Sequence, residues 1–173
     1  MIRDISGQVF GIILSMKIVK SELPYRKKVT AVVVDNKDNF LIVQLYEYAE
    51  RDWNFPGGGV EEGETVKQAV LRELLEELGT DKFEVIKKSK YTNKYDWPDW
   101  IIERDIAKKK ENIYRGQEES IFFVRFTGKK NDIKSDTSEI KKIKWVKVED
   151  FKDHLYFHNL LELSKKLVTE LRS

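Results

Sequence analysis

Glu73, Glu76 and Glu77 stand at i, i+3 and i+4 within GGGVEEGETVKQAVLRELLEELG, residues 57–79, a spacing that projects carboxylates from one face of a helix. Like charges so placed repel by roughly a few tenths of a kcal/mol per pair. A compensating positive charge is therefore implied. Just before the helix comes Phe55-Pro56-Gly57-Gly58-Gly59, whose glycines accept positive φ and let a carbonyl or an anion come close. Hard oxygen donors beside a glycine-rich loop suit Mg²⁺ or Mn²⁺, which take carboxylates and waters and bridge to substrate phosphates. Such an ion would supply the compensating positive charge.

Gly58, Glu64, Arg72, Glu73, Leu74, Glu76, Glu77 and Gly79 fall in the order G-x5-E-x7-R-E-U-x-E-E-x-G-U, with U aliphatic, and Thr80 departs from the last position. In these residues the chain resembles the Nudix hydrolases. The resemblance implies an α+β fold, an α/β/α sandwich around a mixed β-sheet. It also implies metal ligation by Glu73, Glu76 and Glu77 together with Gly57, and a structural ion pair between Glu64 and Arg72. Glu139 is the candidate for a fourth carboxylate, either as a further ligand or as the general base; Glu73 is the other candidate for the base.

Features outside this box narrow the branch. Tyr25-Arg26, Trp53-Asn54-Phe55-Pro56, Tyr95-Asp96-Trp97-Pro98, Arg115-Gly116-Gln117 and Glu139 before Trp145-Val146 occur in that order. The set is similar to the branch holding bacterial RNA 5′-pyrophosphohydrolases and plant-type asymmetric dinucleoside tetraphosphate hydrolases. Arg26, Trp53, Tyr95, Trp97, Gln117 and Phe157 are the substrate-binding candidates this implies; Phe157 either stacks on a base or anchors the last helix. The expected substrates are nucleotides, with dinucleoside polyphosphates such as diadenosine tetraphosphate placed first. RNA 5′ ends are the alternative, and a mononucleotide or ADP-ribose pyrophosphatase activity is a further one. Gly57-Gly58-Gly59 departs from the Q-G-G common in the RNA enzymes and motivates that order.

The elements that must carry these residues are legible from local pattern. Val29 to Asp35 and Phe40 to Leu45 are β-branched and aliphatic runs joined by Asn36-Lys37-Asp38-Asn39, a strand pair and its turn. Thr65 followed by Gln68 is a capping box and Gly79 a C-terminal stop, predicting a helix from about Val66 to Leu78. On a helical wheel Leu71, Leu75 and Leu78 fall opposite Glu73, which predicts that they enter the core. Further strands are predicted at Phe83 to Tyr91, Ser120 to Phe126 and Lys142 to Val148, a loop at Tyr95 to Gln117, and a helix at Leu155 to Leu171.

A chain of 173 residues with 40% apolar content suits one domain. The expected division is an N-terminal extension or extra strand over residues 1–22 and a single domain over 23–173. There is no cysteine, and His154 and His158 are the only histidines, which excludes disulfides and His- or Cys-rich metal sites. The apolar run Val9 to Leu14 is far short of the roughly 20 residues that cross a bilayer. With no export signal read, a cytoplasmic location and no membrane partner are expected. Basic segments surround the acidic box (Lys27, Lys28; Lys87, Lys88; Lys108 to Lys110; Lys141, Lys142) and would draw in a polyanion.

Overall fold

The computed structural model describes residues 19–47, 49–135, 138–157 and 159–173. The Val9 to Leu14 run, Met16 and His158 lie outside them. Strand β1 (Tyr25–Val34) and strand β2 (Phe40–Leu45) are antiparallel. Asp35 closes the turn between them: its carboxylate accepts from the Lys37 and Asn39 amides at 2.8 and 2.9 Å and from Asn39 Nδ2 at 2.7 Å. Short polar side chains that bond their own turn are what such a connection requires.

Helix α1 spans Val66–Leu78. Its capping box is formed in full, with the Gln68 amide donating to Thr65 Oγ1 at 3.2 Å and the Thr65 amide to Gln68 Oε1 at 2.9 Å. Gly79, at φ 65°, ends it with a left-handed residue. We expect Thr65→Ala to cost about 1 kcal/mol, the usual worth of such a cap, read as a shift of the urea midpoint at unchanged slope.

Strand β3 (Phe83–Asp96) is longer than its sequence suggests, and β4 (Gly116–Phe126) and β5 (Ile140–Val146) each begin earlier. The sheet order is β3-β4-β1-β2-β5, and β2 pairs antiparallel with β5 through Leu41 opposite Trp145 and Val43 opposite Ile143. The outermost strands carry exposed lysines, Lys87, Lys88, Lys90 and Lys94 on β3, Lys142 and Lys144 on β5.

Alternation along β1 divides the core between the two faces of the sheet. Val29, Ala31 and Val33 meet Ala69, Val70, Leu74 and Leu78 of α1. Val32 and Val34 belong to the opposite core with Phe40, Ile42, Phe123 and Phe151 and with Leu160, Leu167 and Val168 of the last helix. That helix, α3, runs Leu160–Arg172 and starts later than the predicted Leu155, behind a left-handed Asn159 at φ 59°; a short 3₁₀ segment precedes it at Val148–Asp153. Its Glu170 accepts from Ser89 Oγ at 2.6 Å and from the Lys90 amide at 2.9 Å.

By its contacts the chain divides into two compact units, residues 1–26 with 96–117, and residues 27–95 with 118–173. The second holds the paired strands and both cores just described. In the first, the predicted loop from Tyr95 to Gln117 contains helix α2, Asp99–Ala107. Ile102 and Asp105 are its buried residues, and Asp105 is paired with Arg104 and Lys110, each at 2.9 Å. Trp100 and Ile106 are exposed while Asp105 is buried, so its apolar residues do not mark its inward face. Asp96 is gripped by Arg115 through Nη2 at 2.7 Å and Nε at 3.1 Å and by the Tyr25 hydroxyl at 2.6 Å. Among the described residues no helix is long and apolar enough to cross a membrane.

Candidate functional site

The three helix carboxylates are not equivalent. With about 100° per residue from Glu73, the buried positions Ala69, Val70, Leu74, Glu77 and Leu78 occupy one arc with Glu77 near its middle. Glu77 is only 7% exposed, Glu73 is half-buried, and the Glu76 side chain is 58% exposed. Leu75, by contrast, is 50% exposed, and Leu71 is exposed too. The predicted core stripe of Leu71, Leu75 and Leu78 is thus corrected at its first two members. The helix is turned so that a glutamate, not a leucine, faces the glycine loop.

That loop is what makes room. The Gly57 amide donates to Glu77 Oε2 at 2.8 Å. Gly57 sits at φ 137°, and a Cβ there would stand 2.2 Å from the Val29 carbonyl oxygen. A Cβ on Gly58 would fall 2.3 Å from Glu73 Oε2. Two adjacent glycines therefore let β1 on one side and the Glu73 carboxylate on the other close onto the loop.

Arg72 ties loop to helix. It grips Glu64 in a fork, Nη2 to Oε1 at 2.7 Å and Nε to Oε2 at 3.1 Å, and donates through Nη2 to the Gly59 carbonyl at 2.8 Å. Its Nη1 reaches Glu73 Oε1 at 3.0 Å and Glu76 Oε2 at 2.9 Å. The guanidinium is held firmly protonated by these carboxylates, Glu64 first, and Glu64 is held below the usual carboxylate range by the same contact. A guanidinium fork suits this planar two-point geometry better than an ammonium.

Burial pushes Glu77 up to about 7, against the Gly57 amide and the Lys28 charge, which pull it down; Glu73 and Glu139 push it further up. Burial likewise raises Glu73, and the charges of Glu76 and Glu139 add to it. Glu139 is exposed, its carbonyl accepting from the Tyr46 amide at 3.1 Å, and it is near enough to act on both helix carboxylates. Gly57, Glu64, Arg72, Glu73, Glu76, Glu77 and Glu139 are thus brought to one place.

Their chemistry fits a divalent cation. All side-chain donors are hard carboxylate oxygens, and burial raises the most buried of them, Glu77, so that a cation beside it would favour its charged form. Among the described residues no three acidic, His or Cys side chains converge tightly enough to hold an ion as they stand. Arg72 Nη1 instead spans Glu73 and Glu76. The missing positive charge is supplied in part by this guanidinium.

The substrate-binding candidates divide between the two units. Trp53 is 6% exposed and lies in the core with Phe55, its ring 5.7 Å from that of His154 and beneath the Lys144 ammonium at 5.2 Å. Phe157 packs against the same core. Tyr95 is exposed on β3. Arg26, Trp97 and Gln117 belong to the smaller unit: Arg26 is exposed, Gln117 buried, and the Trp97 amide donates to the Arg115 carbonyl at 2.8 Å. Missed from sequence were the individual role of Lys28, counted there only within a basic run, and Glu119; the alternation that puts Lys28 and Thr30 on one face of β1 was the available signal.

Comparison with known proteins gives a match of the NUDIX domain model to residues 24–167. An RNA pyrophosphohydrolase of Rickettsia conorii is 33% identical over 131 residues, 75% of this chain and 79% of that protein. One from Wolbachia pipientis subsp. Culex pipiens is 32% identical over 166 residues, 90% and 94% of the two chains. Among solved structures, an E. coli dihydroneopterin triphosphate pyrophosphohydrolase superposes with a TM-score of 0.65 at 20% identity, covering 85% of this chain and 99% of that one. A C. elegans Ap4A hydrolase complex does so at 0.61 and 17%, covering 84% and 98%. At those identities the structural likeness is one of fold.

Proposed function

The chain belongs to the Nudix family of pyrophosphohydrolases, and on that premise we propose that it acts on the 5′ phosphate chain of RNA, releasing pyrophosphate from a triphosphorylated end. The observation that carries this is the identity with relatives named RNA pyrophosphohydrolase, which spans three quarters of the chain. On this support we rank RNA ahead of diadenosine tetraphosphate, the reverse of the order of preference taken from Gly57-Gly58-Gly59. The core position of Trp53 points the same way, since it removes one of the aromatic faces a second base would stack on.

In this reading Glu73, Glu76 and Glu77, with the Gly57 carbonyl, would hold Mg²⁺ or Mn²⁺, and Glu139 takes the other of its two candidate roles, that of base. When bound, such an ion acidifies a coordinated water and offsets charge on the phosphate oxygens. The protein's own part is to position and to move a proton. Arg72 fixes the loop against the helix through Glu64 and the Gly59 carbonyl. Glu139, exposed and free of Arg72, takes the proton from the attacking water. The water oxygen bonds to phosphorus as the phosphoanhydride oxygen departs with pyrophosphate, leaving a monophosphorylated RNA end.

The test is a direct rate comparison with Mg²⁺ and with Mn²⁺, products resolved by chromatography. We expect kcat/KM for pyrophosphate release from triphosphorylated RNA to exceed that for diadenosine tetraphosphate cleavage by about tenfold or more. Charge reversal at Lys108 to Lys110 should then flatten the salt dependence of RNA binding by roughly 0.7 in log–log slope per lost phosphate contact. The opposite ranking, with Tyr95→Ala or Trp97→Ala raising KM by the roughly 1–3 kcal/mol of a lost base stack, would establish the dinucleoside substrate instead.

A further inference from the structure

The sheet face that packs against α3 changes character along β1. Val34 and Val32 are core residues, and the next two on the same face are Thr30 and Lys28. On β4 the core residue Ile121 is likewise followed down the strand by Glu119. Thr30 Oγ1 donates to Glu119 Oε2 at 3.3 Å, and Asn93 Nδ2 of β3 donates to the same oxygen at 3.4 Å. A polar patch spanning three adjacent strands thus replaces the apolar lining.

Within it lie two charges that burial makes costly. The Glu119 side chain is 9% exposed and that of Lys28 14%, yet Lys28 Nζ stands 3.9 Å from Glu119 Oε1, beyond a hydrogen bond. Among the described residues the Lys28 ammonium has no acceptor within hydrogen-bonding distance and no other carboxylate within 4.0 Å. An interior ion pair recovers its desolvation cost only with close, saturated geometry. A loose pair with open donors is explained if the ammonium has another anion to meet.

Where Lys28 sits identifies that anion. Its backbone bridges to Gly59 of the glycine loop, and the neighbouring Val29 amide donates to the Gly58 carbonyl at 2.9 Å. The next loop residue, Gly57, holds Glu77, and the charge of Lys28 is felt there. Lys28 is therefore anchored by its backbone to the loop that contacts Glu77, on the border of the place where a phosphate chain would meet a metal.

The geometry points to Lys28 as a phosphate-binding residue, its ammonium donating to a non-bridging oxygen of the substrate's phosphate chain while Glu119, held by Thr30 and Asn93, keeps it turned toward the site. This deepens the Nudix reading and rests on it, but it is indifferent to which nucleoside or RNA the chain carries.

The probe is inorganic tripolyphosphate, a phosphate chain without a base, titrated calorimetrically into the full chain at fixed free Mg²⁺. We expect Lys28→Met to weaken binding by about tenfold or more, the range of a lost charge-assisted hydrogen bond, and Lys28→Arg to restore it to within about threefold. Because Lys28→Met removes the ammonium beside the buried Glu119 and can unfold the strand, the double variant Lys28→Gln with Glu119→Gln supplies a neutral patch. It should melt like the parent and still bind about tenfold more weakly. Parental affinity in the double variant, or no tripolyphosphate binding by the parent, overturns the assignment. Failure to cleave either RNA or diadenosine tetraphosphate would overturn the substrate reading and leave this binding result standing.

Discussion

Glu77→Gln abolishes turnover to within a residual of about one per cent or less, yet makes the metal-free chain more stable in mild alkali. Both results follow from one position. A carboxylate charge that helps hold the metal and stabilise charge in the transition state is worth on the order of a hundredfold or more when removed. The same charge is a liability in the absence of metal. Burial raises Glu77 from an ordinary value of 4.5 to about 7, so the stability linked to this group is complete below about pH 4.5 and is lost as pH rises through about 7. Above that range the penalty is roughly 3 kcal/mol, at about 1.4 kcal/mol per pKa unit. Glutamine keeps the acceptor for the Gly57 amide and carries no charge, so it escapes the penalty. Thermal melts in EDTA should show variant and parent together near pH 4 and the variant several degrees higher near pH 8. Curves that stay superimposed at both pH values would count against the burial account, and normal turnover at saturating Mg²⁺ would end the ligand assignment.

Arg72→Ala, the second large effect, should damage fold and rate together. The substitution strands Glu64, leaves the Gly59 carbonyl without its donor, and removes the one cation that touches both Glu73 and Glu76. Breaking a partly buried pair by deleting one partner costs about 3–5 kcal/mol when burial is complete. Arg72 is roughly a quarter exposed, so about 2–4 kcal/mol is a fairer figure after solvent screening. For a chain of this size that lowers the melting temperature by on the order of 10 °C. Arg72→Lys should recover only part of the loss, because an ammonium cannot form the two-point contact with Glu64. A normal melting temperature in Arg72→Ala would show that the fork carries no structural load.

Local codes were the most legible part of the sequence. Thr65, Gln68 and Gly79 set the limits of α1 by hydrogen bonds made within a few residues, so no tertiary knowledge was needed to place them. The spacing of Glu64, Arg72, Glu73, Glu76 and Glu77 was similarly open, because one rigid helix and the loop beside it fix their relation. The rotation of that helix was not. Leu71 and Leu75 look like core residues on any hydrophobicity scale, and only the close approach of the glycine loop reveals that Glu77 takes the inward place. Helix α2 was hidden by Arg104 and Asp105, whose charges pair with each other and with Lys110 instead of leaving an apolar stripe. Trp53 illustrates a different limit. An aromatic residue just before a glycine loop can line a site or fill the core, and its ring contact with His154 depends on chain about a hundred residues away.

The lysines along β3 and β5 bear on how this protein behaves in crowded solution. The end strands of an open sheet present unpaired amides and carbonyls to any passing strand, the usual seed of fibrous self-association. Here a second copy approaching either border would have to bring its own row of ammonium groups against Lys87, Lys88, Lys90 and Lys94, or against Lys142 and Lys144. The repulsion acts before any backbone pairing forms, and it is screened as salt rises. Acetylating those lysines, or raising ionic strength well beyond the physiological range, should therefore shorten the time to turbidity of concentrated solutions while leaving the folded chain's melting curve nearly unchanged.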